Sequence, residues 1–397
     1  RTMKKTLKIL KSISTIIGAI VLIFFVIGLI VWGIDFDSIR YGRNEEVNPY
    51  NIDNEGPFVF KTDSLYQIKF IKGNSEKGFY LKERIEENNT EFTLECYYHI
   101  DSSDFSFTLQ PFSTDEKYEF EAPNKIIAIS DIESNYKTFR DFLIVNKVID
   151  KELNWIFGNG HLVLNGDFVD RSYFTTQVLW FIYKLEQEAE KNGGMVHYIL
   201  GNHEIMNIQG DNRYSKSKYK NVSAILGLKQ FQLYDTTMYL GQWLNKKNVI
   251  EKIGSYLFVH AGLSPELVNE RVELEEINRI SRNNYQKAYY PKQNQNQKES
   301  LVLSSQTSPY WYRGYFEDDL QQSQIDKILD YYDCSQIIVG HTIQDKVNRI
   351  FDGKIIGIDV EHPKDYYKYF PKLHAQGLLI ENKKFYRIDD EGKKTEI

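Results

Sequence analysis

The chain has 397 residues, of which 42% are hydrophobic and 26% are charged. This is the composition of a globular protein, and it excludes collagen-like, mucin-like and wholly disordered chains. The net charge of −6 argues against nucleic acid as a partner, because binding to phosphate backbones requires an excess of lysine and arginine.

Residues 1–34 have the composition of a membrane anchor. Residues 12–34 form an uncharged run of 23, and as a helix this run would be about 34 Å long, enough to cross a hydrocarbon core of ~30 Å. Five positive charges and no acid precede it, which predicts a single-pass protein with its N-terminus in the cytoplasm. The remainder would lie outside the cytoplasm, which means the periplasm if the source is a Gram-negative bacterium. A cleaved signal peptide and a buried core helix are the alternatives; the missing cleavage motif and the missing polar stripe disfavour them.

Residues 35–122 are predicted to form a β-rich accessory domain. Apolar residues alternate in the short runs 58–60, 66–70, 92–94 and 105–109, between clusters of Asn, Gly, Asp and Ser. This pattern fits a small sandwich, and we interpret it as a spacer or a partner-binding module because no catalytic motif falls within it.

From residue 123 the pattern indicates a layered α/β domain. Apolar strands over 126–129, 161–164 and 196–200 alternate with helical patterns such as that over 174–191. Two later hairpins are predicted at the turns Asp352-Gly353 and Asn382-Lys383. Residues 289–307 are rich in Gln, Asn, Lys and Ser, which predicts a surface loop.

Five predicted strands each end in a polar cluster that contains residues able to bind metal. These residues are Asp131 and Glu133, Asp167, Asn202, His260 and His341. One such residue alone would be interpreted as a turn former or a helix cap. Five such clusters together, at the carboxyl ends of strands where α/β sheets bind ligands, predict that the donors meet at one sheet edge. They indicate a site for two divalent cations.

The clusters, taken in order, resemble the motifs of the calcineurin-like metallophosphoesterases, and among them the phosphoprotein phosphatase branch. The motifs are Asp-Ile-Glu at 131–133, Gly-Asp-Phe-Val-Asp-Arg at 166–171, Gly-Asn-His-Glu at 201–204, His-Ala-Gly-Leu at 260–263 and Gly-His-Thr at 340–342. The resemblance implies a metallophosphoesterase-type layered α/β sandwich over 123–397, preceded here by the anchor and the β-rich domain. Together with the anchor, it is similar to membrane-tethered bacterial members of the family.

The resemblance also implies a function: dimetal-dependent hydrolysis of phosphate esters, most typically as a phosphomonoesterase of the protein serine/threonine phosphatase type. Asp131 and Glu133 would hold the first metal, Asp167 would bridge both metals, and Asn202, His260 and His341 would hold the second. A hydroxide shared by the metals would attack phosphorus. His203 would be the general acid, oriented by Asp170, with Arg171 and Arg313 binding phosphate oxygens.

The main departure from the family pattern is Glu133, which stands where the family usually has histidine. A carboxylate is a harder ligand, so the sequence predicts Mn or Fe, with Mg or Zn as alternatives. If Glu133 instead faces solvent, the first metal binds weakly. The alternative functions are a nucleotide or phosphodiester hydrolase of the same fold, and a weakly active tethered binding protein whose β-rich domain is the working part.

Overall fold

The computed structural model describes residues 13–23, 41–44, 48–88, 91–110, 117–288, 296–317 and 320–397. The chain divides into two compact units. The smaller consists of Arg1–Asn44 and Tyr367–Leu373, and the larger of Glu45–Tyr366 and His374–Ile397.

The secondary structure is numbered here in chain order. The strands are β1 Tyr41–Asn44, β2 Glu55–Lys61, β3 Leu65–Asn74, β4 Gly78–Glu87, β5 Thr93–Tyr98, β6 Ser103–Thr108, β7 Glu119–Phe120, β8 Lys125–Ile129, β9 His161–Asn165, β10 Met195–Ile199, β11 Ile250–Ile253, β12 Tyr256–Val259, β13 Gln336–Val339, β14 Asn348–Ile350, β15 Ile355–Gly357, β16 Tyr367–Phe370, β17 Gln376–Glu381, β18 Lys384–Asp389 and β19 Lys394–Glu396. The helices are α1 (residues 13–23), α2 Tyr136–Val145, α3 Thr175–Lys191, α4 Asn202–Gln209, α5 Ser217–Leu226, α6 Tyr239–Leu244, α7 Pro265–Asn269, α8 Leu274–Asn284, α9 Gln297–Leu303, α10 Gly314–Glu317 and α11 Gln322–Tyr331, with a 3-10 helix at Gln230–Leu233.

The smaller unit contains α1 and a two-stranded sheet. β1 pairs antiparallel with β16, so that Tyr41 lies opposite Phe370. Within the described residues, no helix combines the length and the apolar character that a membrane crossing requires. Residues 1–12 and 24–34 of the predicted anchor lie outside the described part of the chain.

The β-rich segment contains the strands that its alternating pattern predicts, and they pack against α3. β2, β3 and β4 form an antiparallel sheet, and β5 and β6 form a hairpin. Trp180 of α3 donates its indole N–H to the carbonyl of Pro57 at 2.8 Å, and its ring stacks on Phe107 at 4.5 Å. These contacts lie within the larger unit. The boundary between the segment and the α/β domain, at residues 122 and 123, stays a prediction.

Two six-stranded sheets form the centre of the larger unit. The first has the order β10-β9-β8-β17-β18-β19, and the second has the order β14-β15-β13-β12-β11-β7. β8, β9 and β10 are parallel, as are β12, β13 and β15. The two predicted hairpins are confirmed as the antiparallel pairs β14–β15 and β17–β18.

The two sheets pack face to face through one apolar layer. Ile126 and Val163 of the first sheet belong to the same buried cluster as Phe258, Ile338 and Ile356 of the second. The alternate residues of the first sheet, such as Ile127 and Leu162, pack with the aromatic side chains of α2 and α3 instead. The parallel strands are therefore buried on both faces, which explains their continuous apolar sequences.

Two expectations from the sequence are wrong. The five strand ends lie on two sheets, not on the edge of one, because β12 and β13 pair with each other and not with β8, β9 or β10. The predicted surface loop contains α9, whose Val302 and Leu303 are buried. Residues 289–295 of that loop lie outside the described residues.

Candidate active site

The site forms where the carboxyl ends of the two sheets meet. Asp131, Asp167 and Asn202 follow β8, β9 and β10 of the first sheet, and His260 and His341 follow β12 and β13 of the second. The ligand atoms of Asp167, His260 and His341 all lie within 4.8 Å of one another, and all three residues are buried. The structure therefore brings together predicted residues that are up to 174 positions apart in the sequence.

Short contacts connect Asp131 and Asn202 to this cluster. The Oδ2 atom of Asp131 accepts the backbone N–H of His341 at 3.2 Å. The Oδ1 atom of Asn202 lies 3.2 Å from Nε2 of His260, and Oδ2 of Asp167 lies at the same distance from that nitrogen. Five of the six predicted metal ligands thus surround one small region.

Several loops of the site have backbone in the left-handed region. Asp131, Asp167 and His341 have φ values of 54°, 59° and 63°. Such values are uncommon for residues other than glycine, and they cluster where a fold fixes side chains for function. The loops after β8, β9 and β13 share this feature.

Two glycines leave room for site carboxylates. A Cβ atom on Gly201 would lie 2.2 Å from Oδ1 of Asp167, and one on Gly340 would lie 2.5 Å from Oδ2 of Asp131. Each glycine precedes a predicted metal ligand on its own loop, yet it makes space for a ligand on another loop. Any side chain at these positions would displace the carboxylates.

Asn165, at the end of β9, joins the two sheets. Its side-chain N–H groups donate to the carbonyls of Val259 at 3.0 Å and Ile338 at 3.2 Å, and its own carbonyl accepts Nδ1 of His260 at 2.8 Å. Because Nδ1 carries the proton of that bond, Nε2 of His260 is the atom that faces Asp167. His341 is oriented in a similar way, since its Nε2 donates to the carbonyl of Trp311 at 3.2 Å.

Glu204 fixes the loop that carries Asp167. Its buried carboxylate accepts the backbone N–H groups of Asp167, Phe168, Val169 and Gly201 at 2.7 to 3.2 Å, and the hydroxyl of Tyr198 at 3.0 Å. Backbone donors in such a loop lack partners in a sheet or helix, so one side chain satisfies all of them. Glu204 belongs to the Gly-Asn-His-Glu motif, but its place in that motif does not predict this role.

His203 lies between two carboxylates at the first turn of α4. Its Nδ1 is 2.9 Å from Oδ2 of Asp170, and its Nε2 is 3.8 Å from Oδ2 of Asp167. Asp170 thus holds the imidazole of His203 by its Nδ1 atom. The ring is 2% exposed, so its position is fixed by packing as well as by these contacts.

Arg171 and Glu133 bind each other at the mouth of the site. Nη1 of Arg171 lies 2.5 Å from Oε1 of Glu133, and the two side chains are 48% and 21% exposed. The guanidinium of Arg171 also lies over the ring of Tyr214 at 5.4 Å. Tyr214 is 43% exposed and its ring centre is 5.0 Å from that of His203. No sequence signal points to Tyr214, which follows α4 in an irregular segment.

Arg313 contacts the loop of His341. Its Nη1 donates to the His341 carbonyl at 2.8 Å and to the hydroxyl of Thr342 at 3.2 Å. One of its terminal nitrogens is therefore engaged with the loop. The structure therefore places Arg313 beside the loop that carries His341.

The electrostatics of the cluster centre on Asp167. Burial opposes the charge on every member. Nevertheless, His260 and His203 hold the pKa of Asp167 below its ordinary value, and Asp167 in turn raises the pKa of His260 to about 10 and that of His203 to about 9. Burial, followed by the proximity of His260, lowers the pKa of His341. The Asp167 carboxylate thus attracts positive charge to the point where the two sheets meet.

The other two carboxylates respond to burial. Burial raises the pKa of Asp131 to about 7 and also raises that of Glu133, although Arg171 acts in the opposite direction on Glu133. Perturbed carboxylates and histidines concentrated in one cleft are typical of catalytic sites.

Comparison with known proteins gives the site a family. Residues 124–345 match the family model described as calcineurin-like phosphoesterase. The Shewanella-like protein phosphatase 2 of Arabidopsis thaliana is 26% identical over 302 residues, which are 61% of this chain and 72% of that protein. The Shewanella-like protein phosphatase 1 of Plasmodium berghei is 30% identical over 238 residues, which are 55% of this chain and 61% of that protein.

A solved structure is similar over most of the chain. The crystal structure of a cold-active protein-tyrosine phosphatase of a psychrophilic Shewanella species superimposes with a TM-score of 0.74 and 30% identity, covering 86% of this chain and 98% of that one. Residues 124–345, which match the family model, contain all ten predicted site residues. The resemblance that the motifs indicate is therefore confirmed. The chain therefore belongs to the calcineurin-like phosphoesterase family and is a metal-dependent phosphoesterase.

Proposed function

We propose that this protein is a dimetal phosphatase that removes phosphate from phosphorylated proteins. The observation that supports the metal sites best is the convergence of Asp167, His260 and His341, whose ligand atoms lie within 4.8 Å of one another. Carboxylate oxygens and neutral imidazole nitrogens are the donors that Mn, Fe and Zn take in proteins. The residues present therefore fit two divalent cations.

Asp131 and Asp167 would hold the first cation, and Asp167, Asn202, His260 and His341 the second. The sequence predicts Glu133 as a further ligand of the first cation, and in the structure its carboxylate is paired with Arg171. The chemistry that two cations supply in such a site is acidification of a water molecule and its alignment for attack on phosphorus. Mn or Fe remains the predicted metal.

The protein's own residues would do the rest of the work. His203, held by Asp170, would donate a proton to the leaving oxygen. The side chain of Arg171 is 48% exposed. Arg171 would release Glu133 when the substrate enters and would then bind its phosphate oxygens. Arg313 would keep the His341 loop in place and reach the phosphate with its remaining N–H groups.

The substrate would be a phosphomonoester on a protein. The motifs favour phosphoserine and phosphothreonine, and the names of the curated relatives support a protein substrate. Phosphotyrosine is the second candidate, because the similar solved structure is that of a protein-tyrosine phosphatase and because Tyr214 offers an exposed ring beside His203 and Arg171. Aromatic rings of enzyme and substrate could pack there.

The protein would act at a membrane. Support for this comes from the sequence, in which five positive charges precede an uncharged run of 23 residues. The catalytic unit would then lie outside the cytoplasm. Protease digestion of intact cells tests this: a catalytic unit that stays protected until the cytoplasmic membrane is opened would contradict it.

The function is tested with the full chain in detergent, stripped of metal and reloaded with Mn²⁺. Substrates would be phosphoseryl, phosphothreonyl and phosphotyrosyl peptides, a nucleotide and a bis-aryl phosphodiester. We expect peptide hydrolysis that requires Mn²⁺ and is far faster than hydrolysis of the last two. Preference for the nucleotide or the diester would instead identify the protein as a nucleotide or phosphodiester hydrolase of the same fold. A folded protein that binds no metal would support the tethered binding protein.

A further inference from the structure

The first metal site lacks one ligand of the usual kind. The motif at 131–133 has Glu133 in place of the family's histidine, and the Glu133 carboxylate lies 2.5 Å from the guanidinium of Arg171. An oxygen that binds an arginine this closely already has a strong positive partner. Asp131 and the bridging Asp167 are then the carboxylates left for the first cation.

A further carboxylate, that of Asp359, lies at the same end of the second sheet. β15 runs parallel to β13, and beyond its last residue Ile358 donates its N–H to the carbonyl of Val339 at 2.8 Å. Asp359 comes next, with its carbonyl accepting the N–H of Gln344 at 2.9 Å. It therefore follows β15 as His341 follows β13, in the loop layer that forms the site.

The side chain of Asp359 is buried without a partner. The residue is 7% exposed, and among the described residues none forms a hydrogen bond or an ion pair with its carboxylate. Burial raises its pKa well above the ordinary value, and the negative charges of Asp131, Glu133 and Asp167 act in the same direction. His260 acts against them. Asp131 likewise has no lysine or arginine partner in the described part of the chain.

Buried carboxylates gathered in this way need a cation or a proton. Burial destabilises an isolated carboxylate anion, and a second negative charge nearby destabilises it further. A divalent cation between Asp131 and Asp359 would remove the cost for both. A proton on Asp359 would do so as well, and the two explanations predict different metal binding.

We propose that Asp359 is a ligand of the first metal and takes the place of the family's histidine, while Glu133 serves to hold Arg171. This inference rests on the dimetal function proposed above. The first site then has only carboxylate oxygens from the protein, a set that selects Mn²⁺ or Mg²⁺ over Zn²⁺. Arg171 can then release Glu133 and bind a substrate phosphate without disturbing the metal.

The test is the number of Mn²⁺ ions bound by the metal-stripped full chain, measured by equilibrium dialysis. The variants are Asp359→Asn and Glu133→Gln, and the control is Asp352→Asn, an exposed aspartate on the β14–β15 turn. We expect two ions in the wild type, the control and Glu133→Gln. In Asp359→Asn we expect one site to weaken at least about tenfold while the other keeps its affinity.

The outcomes separate this inference from the proposed function. A folded wild type that binds no Mn²⁺ would refute the dimetal function itself. Two ions in the wild type and two with unchanged affinities in Asp359→Asn would overturn only the role of Asp359 and leave it as a protonated acid. Loss of one ion in Glu133→Gln alone would return the ligand role to Glu133.

Folding of each variant would be checked by metal-free thermal unfolding. If Asp359→Asn does not fold, Asp359→Glu replaces it, since this variant retains a carboxylate on a longer side chain. We then expect one of the two Mn²⁺ affinities to fall at least about tenfold. If Asp359→Glu binds both Mn²⁺ ions as tightly as the wild type does, the proposal is contradicted.

Discussion

The two sheets supply the site with different donors and hold them in different ways. The loops of the first sheet carry the acids and the amide, Asp131, Asp167 and Asn202, and a buried carboxylate, Glu204, holds the backbone around Asp167. The loops of the second sheet carry the histidines, each oriented by a backbone carbonyl. Most carboxylates of the site thus come from the first sheet, and its histidines come from the second.

This difference shows why the site needs both sheets. Acids from the first sheet alone would repel one another, and histidines from the second alone would lack a charge to attract two cations. Substitutions on the two sheets should therefore differ in their effects on metal binding and turnover.

Asp167→Asn should abolish binding of both Mn²⁺ ions, whereas His341→Asn should abolish binding of only one. Asp167 is expected to bridge both cations, and His341 to contact the second alone. Turnover of p-nitrophenyl phosphate should fall at least about a thousandfold in Asp167→Asn, because several kcal/mol of transition-state stabilisation depend on the cations. Dialysis and kinetics measure the two effects, with Asp352→Asn as the control. Retained turnover in Asp167→Asn would show that this carboxylate does not bridge.

His203→Gln should keep both ions and reduce kcat by about 10² to 10⁴, the range expected for a lost general acid. The loss should be larger for phenyl phosphate than for p-nitrophenyl phosphate, since a poorer leaving group depends more on protonation. His374→Gln, at a half-buried site paired with Asp390, is the control. If an ion is lost, His203 is a metal ligand; if both substrates slow equally, it is not the acid.

Glu204→Gln should weaken Mn²⁺ binding about 10- to 100-fold, in the range seen when groups that orient metal ligands are removed. An amide oxygen cannot accept all four backbone N–H groups that the carboxylate accepts, so the Asp167 loop should lose its conformation. Glu190→Gln, an exposed change on α3, is the control. The same Mn²⁺ affinity in both variants would show that Glu204 does not position Asp167.

Burial of His362 near the junction of the two sheets should make the stability of the protein depend on pH. Its Nε2 donates to the carbonyl of Ser130 at 3.0 Å, and burial lowers its pKa to about 4. Because the unfolded chain binds this proton near pH 6.5, the stabilisation is complete above that pH and is lost as the pH falls toward 4. Between pH 7 and pH 5 the loss should be about 2 kcal/mol. Urea unfolding of the metal-free protein should show this loss, and His362→Gln should show less of it; equal losses would contradict the assignment.

Local sequence predicted the strands and the residues at their ends. Runs such as Ile126-Ile127-Ala128-Ile129 identify strands buried on both faces, and the two-residue turn at Asn382-Lys383 predicts its hairpin, with both residues at positive φ. Site residues could be found because each follows a strand and because the motifs occur in the family's order. These signals depend only on neighbouring residues.

What the sequence did not predict depends on distant contacts. The sequences of β12 and β9 are both apolar, so neither sequence shows which sheet its strand joins. The role of Glu204 requires backbone N–H groups from a loop about 36 positions away, and Asp359 follows a strand that reads only as half of a hairpin. α9 is polar except for the Leu301, Val302 and Leu303 cluster, which becomes informative only once it packs.

The most direct test of the account is a titration of Mn²⁺ into the metal-stripped full chain, following bound metal and p-nitrophenyl phosphate hydrolysis in the same samples. We predict that two ions bind and that turnover appears as the second site fills, since Asp167 joins both sites. Full hydrolytic activity without added metal would contradict the dimetal site built from the two sheets. A folded protein that binds no Mn²⁺ would also contradict it.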